Sequence, residues 1–347
     1  MRRISYCEAL REAQWQEMER DPSVFVYGVG VPTHAEVFGT VTGLADRFGP
    51  GRCMDTPISE AAMTGFGLGA AIGGLRPIHI HIRVDFLLLA MSQLVNQVSP
   101  FIYSTCGGQK APLTIRAIVG RGWGQGWQHS KSLHSAFAHV PGLKVVLPTR
   151  ARDAKGLLTA AIRDDNPVLV IEHRWLYWAE DEVPEEPYAT PLEGGGAVLR
   201  PGSDLTIVAT SWMAVEALRA AEILARSGVD AEVVDPQVIA PFDDTLVLDS
   251  AGRTGRCMVA DNDWTDCGFG AEVAARVSEA CFGSLRAPVR RVGWPMAPCP
   301  TARCLEDRFY PNAATLVRMA ETMLDIPPAD LSQEDFYSHE RHFRGPF

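Results

Sequence analysis

Glu60 and His129 are the residues of this sequence whose type and setting suit proton chemistry. Glu60 follows Asp55-Thr-Pro-Ile-Ser59, a turn and N-cap sequence, and so opens a helix whose first turn faces the ends of neighbouring strands. A lone glutamate at that place usually does no more than complement the helix dipole. What sets it apart is the segment Gly120-Arg-Gly-Trp-Gly-Gln-Gly-Trp-Gln-His129-Ser130, which directly follows an expected strand and puts alternating glycines before a histidine. Loops at the carboxyl ends of parallel strands are where α/β sheets take ligands. Alternating glycines let other groups approach the backbone closely. A histidine there suits acid–base work at neutral pH at least as well as a structural hydrogen bond.

Other patterns read more plainly. His79 and His81 share one face of a strand at period two and could suggest a metal pair, but no third ligand stands at a useful spacing, so burial or pocket lining is the better reading. The run Gly65–Ala71 has the glycine spacing of a dinucleotide fingerprint in the wrong context, because Glu60 to Met63 precede it as a first helical turn rather than a strand. Small residues that let this helix pack closely are the better reading. Gly28 and Gly30 do follow a strand, but Thr33 stands where the third glycine belongs, which leaves a strand-end turn.

The elements that must position these residues alternate. Strands are expected at Val24–Tyr27, Pro77–Ile82, Leu113–Ile118, Leu143–Leu147 and Val168–Glu172, with helices at Glu60–Ile72, Leu87–Ser99 and Asp153–Arg163. That alternation argues for a mostly parallel sheet covered by helices on both faces. The stretch Glu180–Gly196 is acidic, carries three prolines and ends in three glycines, so it continues neither period and reads as a linker. The pattern then restarts, with strands at Leu205–Ala209, Ala231–Val234, Cys257–Ala260 and Val289–Val292 and helices at Ala214–Ser227 and Ala271–Cys281. The expectation is an α/β protein of two doubly wound domains, residues 1–179 and 199–347, joined by a linker at 180–198.

Bulk properties agree and exclude some classes. A chain of 347 residues, 46% hydrophobic, buries about three quarters of its unfolded surface. The formal net charge is −10 and the basic residues are scattered, so no footprint for nucleic acid exists. Eight cysteines with no C-x-x-C pair suggest thiols in a reducing compartment. The N-terminus is helix-prone and acidic, and the longest apolar stretch, Phe86 to Met91, is too short to span a bilayer. A cytoplasmic protein without a membrane segment is expected.

The motifs are together specific enough to name a family. VFGTVTGL (37–44), MDTPISEAAMTGFGLGAAIGGLRPI (54–78), QHSKS (128–132), HVPGLKVVLPTRARDAKGLLTAAIRDDNPV (139–168) and GFGAEVAARVSE (268–279) resemble the beta subunit of pyruvate, branched-chain and acetoin dehydrogenases, nearly end to end. These are thiamine-diphosphate-dependent 2-oxo-acid dehydrogenases of the transketolase-like superfamily. The resemblance implies a pyrimidine-binding domain followed by a transketolase C-terminal-like domain. It makes Glu60 the acid facing the aminopyrimidine ring of thiamine diphosphate, where it favours the tautomer whose own nitrogen deprotonates the reactive carbon, so that no other side-chain base is needed for that step. It makes Phe86 the residue stacked on that ring, Ile58 a further cofactor contact, and His129 the histidine that reaches the reacting carbon. A monovalent-cation site, potassium in kind, would draw on carbonyls of Leu113, Ala161 and Ile162 with Asp164 and Asn166 nearby, although a helix-ending turn of this composition is common without an ion.

No Gly-Asp-Gly motif occurs in the chain. The resemblance therefore implies an alpha-type partner that supplies it to hold magnesium and diphosphate, an α2β2 assembly, and a chain inactive alone. The acyl acceptor it implies is a lipoyl group on a separate acyltransferase.

Some positions depart from the family. Val29, Gly30 and Ile80 stand where acids line a polar passage between paired sites, and Gln237 and Asn262 replace an arginine and an acid. The loop before His129 presents Arg121, Trp123, Gln125 and Trp127 in place of small residues, so Arg121 and Trp123 join His81 as candidate substrate-pocket residues. Surface decoration is the competing reading of that loop. Two other functions compete: a two-subunit transketolase or acyloin-forming enzyme that passes its unit to an aldehyde, and a non-catalytic subunit that keeps only the fold.

Overall fold

A computed structural model describes residues 1–33, 37–122, 124–194 and 196–336. The described residues form two compact units: Met1–Arg121 with Gln128–Leu192, and Gly122–Trp127 with Glu193–Phe336. The first runs β1 (Arg2–Ser5), α1 (Tyr6–Arg20), β2 (Val24–Gly28), α2 (Leu44–Phe48), β3 (Cys53–Met54), α3 (Glu60–Ile72), β4 (Arg76–His81), α4 (Val84–Leu87), α5 (Met91–Gln93), α6 (Phe101–Ser104), β5 (Thr114–Val119), α7 (His134–Ala138), β6 (Lys144–Val146), α8 (Ala151–Arg163), β7 (Val168–His173) and β8 (Glu180–Val183). Within this unit the strands stand in the order β6-β7-β5-β4-β2-β3, every neighbouring pair parallel. All six residues of β5 and of β7 are buried, which is why both read as mainly apolar runs rather than alternating ones.

Arg116 and Glu172, an ionic pair within those runs, satisfy each other. Arg116 on β5 donates through Nη2 to Glu172 Oε2 on β7 at 2.8 Å and through Nη1 to Gln14 Oε1 on α1 at 2.9 Å, while the Tyr177 hydroxyl donates to Glu172 at 2.7 Å. Arg116 and Glu172 are wholly buried. Helix α8 lies against α1 and buries Leu157 and Leu158, each contributing about 1.5–3 kcal/mol.

The segment from 180 to 196 begins as structure. β8 pairs antiparallel with β1, from Arg2 against Val183 to Ser5 against Glu180. Beyond it Lys155 Nζ donates to Glu12 Oε1 at 2.6 Å and to the carbonyls of Pro184, Glu185 and Glu186 at 2.7, 3.0 and 3.1 Å.

The helical run Val84–Ser104 is longer than Phe86 to Met91, the uninterrupted apolar stretch of the sequence. Its 21 residues, with a mean hydropathy of 1.2 over the most apolar 18, are long and apolar enough to cross a membrane by length and composition alone. Interspersed Ser, Gln and Asn hide that length from a count of consecutive apolar residues. Here α4 packs on β4 and β5, and α5 on α3, so the run is a layer of the first unit.

The glycines of α3 divide into two sets. A Cβ on Gly67 would sit 2.1 Å from the Tyr27 hydroxyl, which donates to the Met63 carbonyl at 3.0 Å, and 3.0 Å from Leu113 Cδ1. Gly65 and Gly69 face open space. Close packing within the chain therefore rests on Gly67. Gly67→Ala is expected to destabilise the chain by about 1–3 kcal/mol, read as a lower midpoint in a thermal melt. An unchanged midpoint would contradict the packing described.

The second unit contains β9 (Ala197–Arg200), β10 (Leu205–Ala209), α9 (Ser211–Arg226), β11 (Ala231–Asp235), β12 (Val238–Ala240), α10 (Thr245–Thr254), β13 (Cys257–Trp264), α11 (Phe269–Ala280), β14 (Arg290–Trp294), α12 (Arg303–Phe309) and α13 (Ala313–Leu324). Its sheet has the order β14-β13-β10-β11-β9, parallel except for β9. Ile207, Val233 and Met258 of the sheet meet Met213 and Leu224 of α9 and Leu316 of α13 in one core. The sequence reading missed α13 although its signal was present: Asn312 caps it by accepting from Thr315 N, and Leu316, Val317 and Ala320 recur at helical spacing.

Candidate active site

Three carboxyl-end features of the first unit's sheet converge. β2 ends at Gly28, where a Cβ would lie 2.5 Å from the Ile80 carbonyl, so the chain can turn there only as glycine. β4 ends at His81 and hands over to Ile82, Arg83 and α4. α3 opens at Glu60, with Ser59 as N-cap making no side-chain cap bond. Between them lies a cavity of about 300 Å³. Its apolar lining is Val29, Ile58, Met63, Ile80 and Ile82, and its polar lining includes Glu60, His79, His81, Arg83 and His129, with Phe86 beside them.

The structure thus brings together the residues singled out for chemistry. Glu60 and His129 are both half-buried. The rings of Phe86 and His129 meet edge to face, centroids 5.3 Å apart at 87°. Phe86 is 37% exposed and Ile58 82%, so each offers a surface not covered by its own chain.

His79 and His81 form one wall. His81 Nε2 lies 3.1 Å from His79 Nδ1, a hydrogen bond in one tautomer or the other, and His79 stacks on Tyr27 at 4.4 Å and 8°. Among the described residues no group of three or more metal-ligating side chains exists. Burial pulls His79 well below the ordinary histidine range, with neighbouring His81 adding to it, and pulls His81 down to about 3. Both rings are therefore neutral at physiological pH.

The linkage sign follows. Below its ordinary pKa of 6.5 an unfolded histidine takes up a proton that folded His81 refuses until about 3. The unfolded state then binds more protons, and stability falls as pH drops through that window. His81→Leu should flatten the stability profile between pH 6.5 and 5, by up to about 1.4 kcal/mol per pH unit. Thermal or urea unfolding at several pH values checks this, and parallel profiles for the two proteins would refute it.

Other expected site residues lie elsewhere. Arg121 is 4% exposed, with its guanidinium 4.3 Å over the Trp175 ring, and does not line the cavity. Trp123 lies outside the described residues. Asp164 closes α8 and pairs with Lys144 at 2.7 Å while accepting from Asn166 N and Nδ2. The Leu113 carbonyl accepts from Val168 N, and that of Ala161 from Thr114 Oγ1 and Asp164 N. Ile162 is buried beside it. Arg76 donates to the Arg163 carbonyl at 2.9 Å, so cationic side chains already meet this helix end. In the second unit Gln237 and Asn262 are both buried, and neither side-chain amide atom of Asn262 has a hydrogen-bond partner among the described residues.

Sequence reasoning missed Arg83. It is 5% exposed, lines the cavity and donates through Nη1 to the Ile82 carbonyl at 2.8 Å. The available signal was its place just past the carboxyl end of a strand.

Comparisons with known proteins agree with this geometry. Residues 2–178 match the family model of the transketolase pyrimidine-binding domain, and residues 194–316 that of the transketolase C-terminal domain. The chain is 40% identical over 329 residues to the acetoin:2,6-dichlorophenolindophenol oxidoreductase subunit beta of Cupriavidus necator, covering 92% of this chain and 97% of that one. It is 38% identical to the 2-oxoisovalerate dehydrogenase subunit beta of Bacillus subtilis (89% and 95% covered). Identity to the mitochondrial pyruvate dehydrogenase E1 component subunit beta of Ascaris suum is 37% (93% and 91% covered). Among solved structures, a split-gene transketolase in an inactive beta4 tetramer shares the fold at a TM-score of 0.73 and 22% identity, covering 93% of this chain and 99% of that one. With its pyrimidine-binding and C-terminal domains both matched, the chain belongs to the beta subunits of the thiamine-diphosphate-dependent 2-oxo-acid dehydrogenases, within the transketolase-like superfamily.

Proposed function

We propose that this chain contributes Glu60, Phe86, Ile58 and His129 to a thiamine-diphosphate site completed by an alpha-type partner, and that the assembled enzyme decarboxylates a 2-oxo acid and passes on the acyl unit. The observation that carries this reading is the single cavity lined by Glu60, Phe86 and His129. Its residues fit the cofactor's ring: a half-buried carboxyl to meet a ring nitrogen, an aromatic face at Phe86 and an apolar contact at Ile58.

When bound, thiamine diphosphate supplies a nucleophilic carbon and an electron sink for decarboxylation. This chain's residues do the rest of what is proposed for it. Glu60 hydrogen-bonds and orients the ring. Val29, Ile80 and Ile82, with the neutral His79–His81 pair, keep water from that side of the cavity. His129 holds or moves a proton at its ring nitrogen, where an oxygen of the substrate can be reached.

The absence of Gly-Asp-Gly assigns magnesium and the diphosphate to the partner. Exposed Phe66 on α3 and Leu89 after α4, 47% and 63% exposed, with open Gly65 and Gly69, offer an apolar surface of the kind a partner chain covers in an α2β2 assembly. A potassium ion at the end of α8 would sit among oxygens that already accept from cations, the Arg163 carbonyl from Arg76 and the Asp164 carboxylate from Lys144. No disulfide joins any of the eight cysteines, which suits a reducing cytoplasm. The acceptor we favour is a lipoyl-bearing acyltransferase. One observation favours an aldehyde acceptor of transketolase or acyloin type: Arg83 in the cavity wall suits the carboxylate or phosphate of a sugar-like molecule.

Coexpression with the alpha-type partner tests the proposal, using reduction of 2,6-dichlorophenolindophenol with acetoin, 2-oxoisovalerate or pyruvate in the presence of thiamine diphosphate and magnesium. Turnover is expected only when both chains are present. No turnover with any of the three, or equal turnover by this chain alone, would overturn it. Acylation of a lipoyl domain against ketol transfer to an aldehyde then decides the acceptor.

A further inference from the structure

The loop that carries His129 has a problem of its own. Gly120, Gly122, Gly124 and Gly126 precede the histidine within ten residues, and glycines leave a backbone with more conformations to lose than any other residue. A proton-transferring ring must nevertheless be held in one place, and the short helical turn at Gly126–Gln128 needs a side-chain anchor beside it. Lys131, two residues on, supplies it. Its Nζ donates to Asp85 Oδ1 at 2.7 Å, and its backbone N–H reaches the same oxygen at 3.4 Å.

Asp85 is the residue before Phe86 on α4 and is 6% exposed. Its other oxygen, Oδ2, is buried with no hydrogen-bond partner among the described residues. A carboxylate that stays buried with only half its acceptors used is costly unless its one partner is fixed. Burial pushes the Asp85 carboxyl above the usual aspartate range, and Lys131 works against that rise.

We propose that the Asp85–Lys131 ion pair is the positioning device of this site, fastening the main chain beside His129 to the helical turn that presents Phe86 and so fixing the edge-to-face contact of the two rings. Neither residue lines the cavity, so both act through His129 and Phe86. The catalytic consequence rests on the function proposed for His129; the structural one does not.

Two measurements separate these. In the full chain with ¹³C-labelled histidine rings, the His129 signal, identified by its loss in His129→Ala, should show the ring-current shift of Phe86. Lys131→Met should abolish that shift and leave the signals of buried His79 and His81 in place, while Lys131→Arg should retain it. An unchanged His129 signal in Lys131→Met would overturn the proposal. In the assembled enzyme Lys131→Met should lower kcat by up to about 10²-fold, the scale of a misplaced catalytic group, with KM little changed; the thermal midpoint should fall as well, because buried Asp85 is left without its cation, whereas Lys131→Arg should keep both. The same substitution in a His129→Ala background should add almost nothing. An equal loss in both backgrounds would also overturn the proposal. Wild-type turnover by His129→Ala alone would instead defeat the catalytic reading of His129 and leave the ring signal to decide the positioning.

Discussion

Glu60→Gln is expected to leave a chain that folds and assembles but whose turnover falls by about 10²–10⁴-fold, the range associated with losing a positioned acid or base. Glutamine keeps the size of the side chain and its place at the first turn of α3. It loses the ability to exchange a proton with a ring nitrogen. The stability change should be small, because Glu60 makes no ion pair among the described residues and only its favourable charge at a helix N-terminus is removed, about 0.3–1 kcal/mol. Steady-state dye reduction by the assembled enzyme and a thermal melt measure the two effects. Turnover within a few-fold of wild type would exclude Glu60 from the chemistry, whatever the cavity looks like.

The largest stability effect should come from Arg116→Met. It leaves Glu172 wholly buried with the Tyr177 hydroxyl but without its guanidinium, and breaking a buried pair in this way costs about 3–5 kcal/mol. For a unit of this size that is a fall in unfolding midpoint of roughly 10 °C. Adding Glu172→Leu should recover much of the loss, since two apolar residues leave no uncompensated charge. A double variant as unstable as Arg116→Met would mean that packing rather than charge explains the network.

Where a residue's neighbours lie close in sequence, the sequence was readable. The helix opening at Glu60, the strand ending at His81 and the glycine-rich approach to His129 all follow from local turn chemistry and periodicity, and these are the elements that make the cavity. Arg121 was misleading because its partner, Trp175, is distant in the chain, and no local pattern distinguishes a guanidinium stacked on an indole from one facing solvent. Arg83 was overlooked for the converse reason: a charged residue just past a strand looks like surface until the apolar wall beside it is seen. The short polar strands β1 and β8 gave no period to read, since only their mutual pairing makes them strands. Asp85 and Lys131 stand far apart in the sequence, with no local pattern to link them. Only the fold places them 2.7 Å apart.

The pairing of β1 with β8 sets the order in which this protein can be made. The residues of β1 find their partner strand only after Val183 has emerged from the ribosome. At translation rates of about 5–20 residues per second they wait on the order of ten seconds or more. A nascent chain stalled or cleaved before that point has an unmatched leading edge, and lacks the carbonyls of Pro184, Glu185 and Glu186 that Lys155 needs. Quality-control proteases should therefore meet the first unit as an open substrate until its last dozen residues have been synthesised.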